Sequence, residues 1–372
     1  MPNTSNFNIA YPANTALVKD GASAMGTIAT GFDSLLGTIG LGGFRNAIIN
    51  GDFSVNQRVF SSTTTTGTYG FDRWAMLKSG GTTTYSSQAF TVGSPAATGY
   101  EAATYARLVT SGQSAASDFS LLQQSIEDVR TFAGAQIVIS FWARAGSATP
   151  SVALEWVQAF GSGGTPSAAV ETYVAKIQIS SSWARYQVAF TVPSISGKTI
   201  GTDVNSSAVT LRIFTSAGST FNSRTNSLGI QNATIDLWGV QVERGSYATP
   251  FERRPPGVEF ALCQRYFEKS YDYATAIGAI TSVGAVTTIA PTTTANKVLV
   301  TVGFRVPKRR PPIVNIYSTA NGAAGNWFEL GFGNRGGATS AVSPFSFVVY
   351  NTVVAAAAFA QYETHYTAEI DF

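Results

Sequence analysis

From about residue 46 to its end the chain is written in short runs of apolar, β-branched and aromatic residues at every second position. Clusters of Gly, Ser, Thr and Asn cut these runs apart. A period of two is the signature of a strand with one face turned inward, and closely spaced breaks point to a sandwich or barrel. The clearest run, residues 137–144, sets Ile137, Ile139 and Phe141 on one face and Val138, Ser140 and Trp142 on the other. Runs at 151–157, 185–192, 209–214 and 233–242 follow the same rule, and Pro193 and Pro250 stand where strands should stop. Beyond residue 45, helical periodicity is confined to a short stretch near residues 260–269.

With 372 residues the chain is long for one core, and the texture divides it. Residues 1–45 read as a short helical anchor, because Val18, Met25, Phe32 and Ile39 recur at seven-residue spacing with Ile28 and Leu35 between them. Gly21, Gly26, Gly31 and Gly37 weaken such a helix alone, so it should pack against copies of itself or dock on its own domain. Residues 46–250 form a first β-sandwich and 251–270, rich in proline, a linker. Residues 271–372 form a smaller second sandwich, with runs at 297–306, 313–317, 327–332, 345–350 and 362–372.

Charge narrows the chemistry. Only 12% of residues are charged and the net charge is +3, too thin for nucleic acid, which needs clustered cations. Lys308-Arg309-Arg310, followed by two prolines, reads as a solvated turn. Cys263 is the single cysteine, so no intrachain disulfide is expected. Neither a signal peptide nor a membrane-length apolar stretch is visible, which predicts no membrane insertion.

The ordered motifs are more specific. Asn46-Ala47-Ile48-Ile49-Asn50-Gly51-Asp52-Phe53 leads through Gln57-Arg58 to Phe71-Asp72-Arg73-Trp74. Gln124 to Glu127, Ser140 to Arg144 and Trp183 to Tyr186 come next, then Trp238 to Ser246, Ala248 to Glu252 and Cys263 to Phe267. In this order the chain resembles bacteriophage tail-fibre and minor virion structural proteins whose central module is a jelly roll like that of carbohydrate-binding modules. The resemblance implies a mainly β protein, with a central jelly-roll β-sandwich and a smaller C-terminal one. It also implies a virion location on a tail or other appendage, attachment to host-surface glycan, and other virion proteins as partners of the N-terminal segment. Together with the heptad fragment it predicts a homo-oligomer, a trimer. A head or neck fibre is the alternative within that class, and a glycan depolymerase with an inter-subunit carboxylate site is the alternative outside it.

A catalytic set is not evident, and no enzyme is expected. His365 is the only histidine and reads as a strand residue facing solvent or an interface. Glu127-Asp128 read as a turn, while Asp33, Asp203 and Asp236 stand alone. No cofactor is implied; Asp52 and Asp72 are candidates for calcium, though a hydrogen-bonding role suits them better. Trp142, Trp156 and Trp238 alternate like core residues, and Trp74 should plug the jelly roll. Trp327 follows a Gly/Asn loop, so Tyr317, Asn326 and Trp327 are the candidate glycan contacts.

Overall fold

The computed structural model describes residues 21, 23, 25–28, 44–97, 99–146, 149–290, 298–352 and 359–370. Of the heptad positions, Met25 and Ile28 are helical and Met25 is 70% exposed. Val18, Phe32, Leu35 and Ile39 lie outside the described residues.

Twelve strands build the first body. They are β1 (Ser62–Thr63), β2 (Thr68–Tyr69), β3 (Ala75–Ser79), β4 (Thr82–Ala89), β5 (Thr104–Ser111) and β6 (Phe119–Glu127). Then come β7 (Gln136–Ala145), β8 (Ser151–Ala159), β9 (Val170–Gln178), β10 (Ala184–Thr191), β11 (Ala208–Ala217) and β12 (Ala233–Arg244). They pair antiparallel in two six-stranded sheets, ordered β1-β4-β5-β12-β7-β10 and β2-β3-β6-β11-β8-β9. The chain passes repeatedly from one sheet to the other, and its last two long strands, β11 and β12, each close the middle of a sheet. That is a jelly roll.

Between the sheets lies a core of Trp74, Met76, Tyr85, Leu108, Leu122, Ile139, Phe141, Leu154, Trp156, Leu211, Ile213 and Leu237. Trp74 and Trp156 are fully buried there, as alternation requires. Trp142 and Trp238 are buried too, but on the outer face of the first sheet, under Tyr100 and Phe251. Next to them β12 breaks register against β7 between Trp238 and Gln241. Gly239 makes this bulge possible: its φ is +64°, and a Cβ would lie 2.7 Å from the Trp142 ring.

The opening motif is a strap rather than a strand. Asn46 accepts the Ile48 and Val242 N–H groups at its side-chain oxygen and donates to the Val240 carbonyl. Asn50, at φ +56°, donates to the Val55 and Asp72 carbonyls and accepts from Val55 N–H, while Trp74 Nε1 donates to the Asn50 carbonyl. The oxygens of Asp72, 1% exposed, accept from Gln57 backbone and side chain and from Arg58. Asp72 therefore has the hydrogen-bonding role expected of it.

Helix Pro256–Gln264 connects to the second body: β13 (Phe267–Lys269), β14 (Val286–Ile289), β15 (Leu299–Gly303), β16 (Ile313–Ser318), β17 (Asn326–Glu329), β18 (Gly333–Ser340), β19 (Ser346–Asn351) and β20 (Gln361–Glu369). Strand β20 is central, pairing with β13, β14, β16 and β17. The path continues through β18 and β19 to β15, wrapping a core of Trp327, Phe347, Val349, Tyr362 and Tyr366.

Two expectations fail at this body. Lys308 and Arg309 form no solvated turn: each is 2% exposed, and Lys308 Nζ lies 2.7 Å from Glu268 in a pair with no side-chain exposure. Nor does His365 face solvent or an interface. It is fully buried, stacked on Tyr271 at 3.7 Å between ring centres.

The two bodies are joined by specific polar contacts. Gln57 donates to the Phe267 carbonyl, and Arg58 bridges Asp72 to Glu369. Arg265 and Tyr266 both donate to Glu127, and the Arg73 guanidinium lies 3.4 Å from the centre of the Tyr266 ring. Burial opposes the Glu127 charge, but Arg265 and Tyr266 outweigh it and hold its carboxyl below the usual range.

Candidate functional site

The predicted trio does not make a ligand platform. Trp327 is fully buried and packs edge-on against Tyr362 at 5.4 Å. Strand alternation in β17 turns it inward, and Gly337 on β18 leaves the space it fills, since a Cβ there would meet the indole at 2.5 Å. Tyr317 and Asn326 are half-buried; Tyr317 faces Tyr271 and Asn326 bonds to its own loop at the Ala324 carbonyl.

A different constellation is assembled on the outer face of the first sheet. The registers align Ser86 with Arg107, Arg107 with Asp236, and Asp236 with Arg144, one transverse row over four strands. Asp236 has no exposed side-chain surface, whereas Arg107 and Arg144 keep 29% and 33%. Arg107 donates through Nε at 2.7 Å and Nη2 at 2.9 Å to the two carboxylate oxygens, and Arg144 Nε donates to Oδ2 at 2.8 Å. The Tyr105 hydroxyl accepts from Nη2 of both arginines. Asp236, which seemed isolated along the chain, is thus the hub of the row.

Aromatic rings border the row. Trp183, half-buried, lies 5.1 Å from the Arg144 guanidinium and packs on Phe90 and Tyr105. On the other side the row is flanked by Thr84, Val109 and Thr234, all uncharged. A planar guanidinium beside an aromatic face and small hydroxyl side chains can present hydrogen-bond donors to a ligand whose apolar side rests on the ring.

The second sheet carries another charged group on its outer face. Glu155, without exposed side-chain surface, accepts from Arg224 through both oxygens and from Arg212, and Glu171 pairs with the same two arginines. Two cations meet two carboxylates there. Between the bodies lies a cavity of about 570 Å³ lined by Asn46, Ile48, Asp52, Arg254, Phe260 and Tyr273. Of its two arginines Arg254 is paired with Glu259, and Arg253 is exposed. Among the described residues no group of three or more His, Cys, Asp or Glu is placed to hold a metal, and no helix is long and apolar enough to cross a membrane. Asp52 accepts from Ser54, and Asp203 from Ser162; Asp33 lies outside the described residues.

No family model matches the sequence, and no curated protein matches it. Solved structures do. The enzymatically active domain of a bacteriophage CBA120 tailspike protein is similar at 11% identity and TM-score 0.31, over 54% of this chain and 21% of that one. A family 11 carbohydrate-binding module from Clostridium thermocellum is similar at 9% identity and TM-score 0.30, over 51% and 99%. A xylan-binding domain from Paenibacillus barcinonensis is similar at 15% and 0.29, over 50% and 99%. The chain thus spans about a fifth of the tailspike chain. At such scores the jelly roll rests on its own strand order and not on these neighbours.

Proposed function

We propose that this chain is a bacteriophage virion structural protein, a tail-fibre subunit whose jelly roll attaches the particle to host-surface glycan without cleaving it. The observation that carries the reading is the half-open row of Arg107, Asp236 and Arg144 beside Trp183. It offers fixed donors beside an aromatic face, with two guanidinium groups sharing one carboxylate.

The non-catalytic half of the proposal is supported by the same geometry. Glycoside hydrolysis needs one carboxyl to deliver a proton and a second to act on the opposite side of the sugar. Both oxygens of Asp236 and both of Glu155 already accept from guanidinium groups. The virion half is supported by the ordered motifs, whose side chains close the strap and the junction between the bodies. Purified protein should be retained by host-surface polysaccharide and release no reducing ends from it. Steady release of reducing ends would replace this proposal with the depolymerase, and absence of retention would remove the attachment role.

A further inference from the structure

We infer that the row of Arg107, Asp236 and Arg144 with Trp183 binds an acidic sugar, its carboxylate held between the two guanidinium groups and its ring against the indole. This rests on the glycan-attachment reading and names the ligand class for its site.

Charge balance carries the inference. In the other arginine clusters carboxylates equal or outnumber the guanidiniums: Arg212 and Arg224 share Glu155 and Glu171, Arg58 meets Asp72 and Glu369, and Arg254 meets Glu252 and Glu259. Here two partly exposed guanidiniums share one carboxylate, leaving a formal charge of +1 on a surface flanked on one side by the uncharged Thr84, Val109 and Thr234. The geometry points outward as well. Nε and Nη2 of each arginine are committed to Asp236 and Tyr105, and Nη1 of each has no acceptor among the described residues. A purely structural bridge would need only one arginine to satisfy Asp236. The second adds a donor that protein does not use, and Trp183 sits beside it. A carboxylate fits because guanidinium donors match its planar pair of oxygens. Asp236 acts as a positioning residue, fixing both forks and needing no contact with the ligand.

The test is titration calorimetry of the full chain with oligogalacturonate, with neutral malto-oligosaccharide and inorganic phosphate as separate arms. Oligogalacturonate should bind, and its affinity should fall as salt rises. Arg107→Gln and Arg144→Gln should each weaken it about tenfold, the loss of one charge-assisted hydrogen bond. Trp183→Ala should weaken it while leaving the salt dependence in place. Arg130→Gln, which removes an exposed charge elsewhere, should leave binding unchanged. Thermal melting of each variant separates loss of binding from loss of fold. Binding of the neutral sugar alone, phosphate binding as tight as the sugar's, or folded arginine variants at full affinity would each overturn the inference while glycan attachment stood. Failure to bind any host polysaccharide would overturn both.

Discussion

His365 has both ring nitrogens committed. Nε2 lies 2.9 Å from the Thr281 carbonyl and so carries the proton, Nδ1 lies 2.9 Å from Ser270 Oγ, and Ser270 Oγ in turn accepts from Tyr366 N–H. Burial lowers the pKa of this imidazole below its ordinary 6.5, because the cation would lose water that the neighbouring groups do not replace. The folded state therefore binds fewer protons than the unfolded chain, and the stabilisation is complete above about pH 6.5 and lost as pH falls below it. The melting temperature should drop between pH 7.5 and pH 5, and His365→Gln should flatten that drop while lowering the value at pH 7.5. An unchanged pH profile in the variant would contradict the assignment. Glu127, held below the usual carboxylate range, adds its own loss at lower pH.

Lys308 and Glu268 test burial at the same scale. Burial pushes the Lys308 ammonium down, and Glu268 opposes that shift from 2.7 Å. Among the described residues, Lys308→Met leaves the carboxylate with the Tyr366 hydroxyl and Arg305 N–H as its donors. It should cost about 3–5 kcal/mol in urea denaturation. Adding Glu268→Gln should recover part of the loss; no recovery would mean that the charge is not what is being paid for.

At the scale of elements, Gly239 shows how one residue sets a strand. Gly239→Ala would force a side chain into a left-handed backbone and against the Trp142 ring, so it should destabilise the jelly roll by about 1–3 kcal/mol in chemical denaturation. Asp72→Ala should destabilise the strap and weaken the junction through Arg58, and chelation of calcium should leave the melting temperature of the wild type unchanged. The long alternating strands β7, β8, β10, β11 and β12 were legible because each carries its own period and its own breaks. Strand β18, Gly-Asn-Arg-Gly-Gly-Ala-Thr-Ser, was not, since it has no apolar period and is held by its neighbours. Trp327 was misplaced because the loop before it suggested exposure while the alternation of β17 decided the direction. The arginine row was missed for another reason. Arg107, Asp236 and Arg144 are 129 and 92 residues apart in their pairs, and cross-strand register is what makes them neighbours. The signal that was present is a single charged residue in each of the runs 104–111 and 136–145, and Asp236 inside the apolar part of 233–244.

For the whole molecule, the junction makes the two bodies a unit that the motifs specify from both sides. Glu127 and Arg58 on the first body hold Arg265 and Glu369 on the second. We expect the chain to sediment as a trimer, near three times 39.1 kDa, through its first 45 residues; a monomeric mass at micromolar concentration would speak against that. The central proposal is that the chain is a displayed, non-catalytic attachment protein. It is tested most directly by imaging labelled antibody against this chain on phage particles purified from the cells that produce it. The account predicts label on an external appendage, with the second body accessible. Particles without label, beside free protein in the lysate, would contradict it.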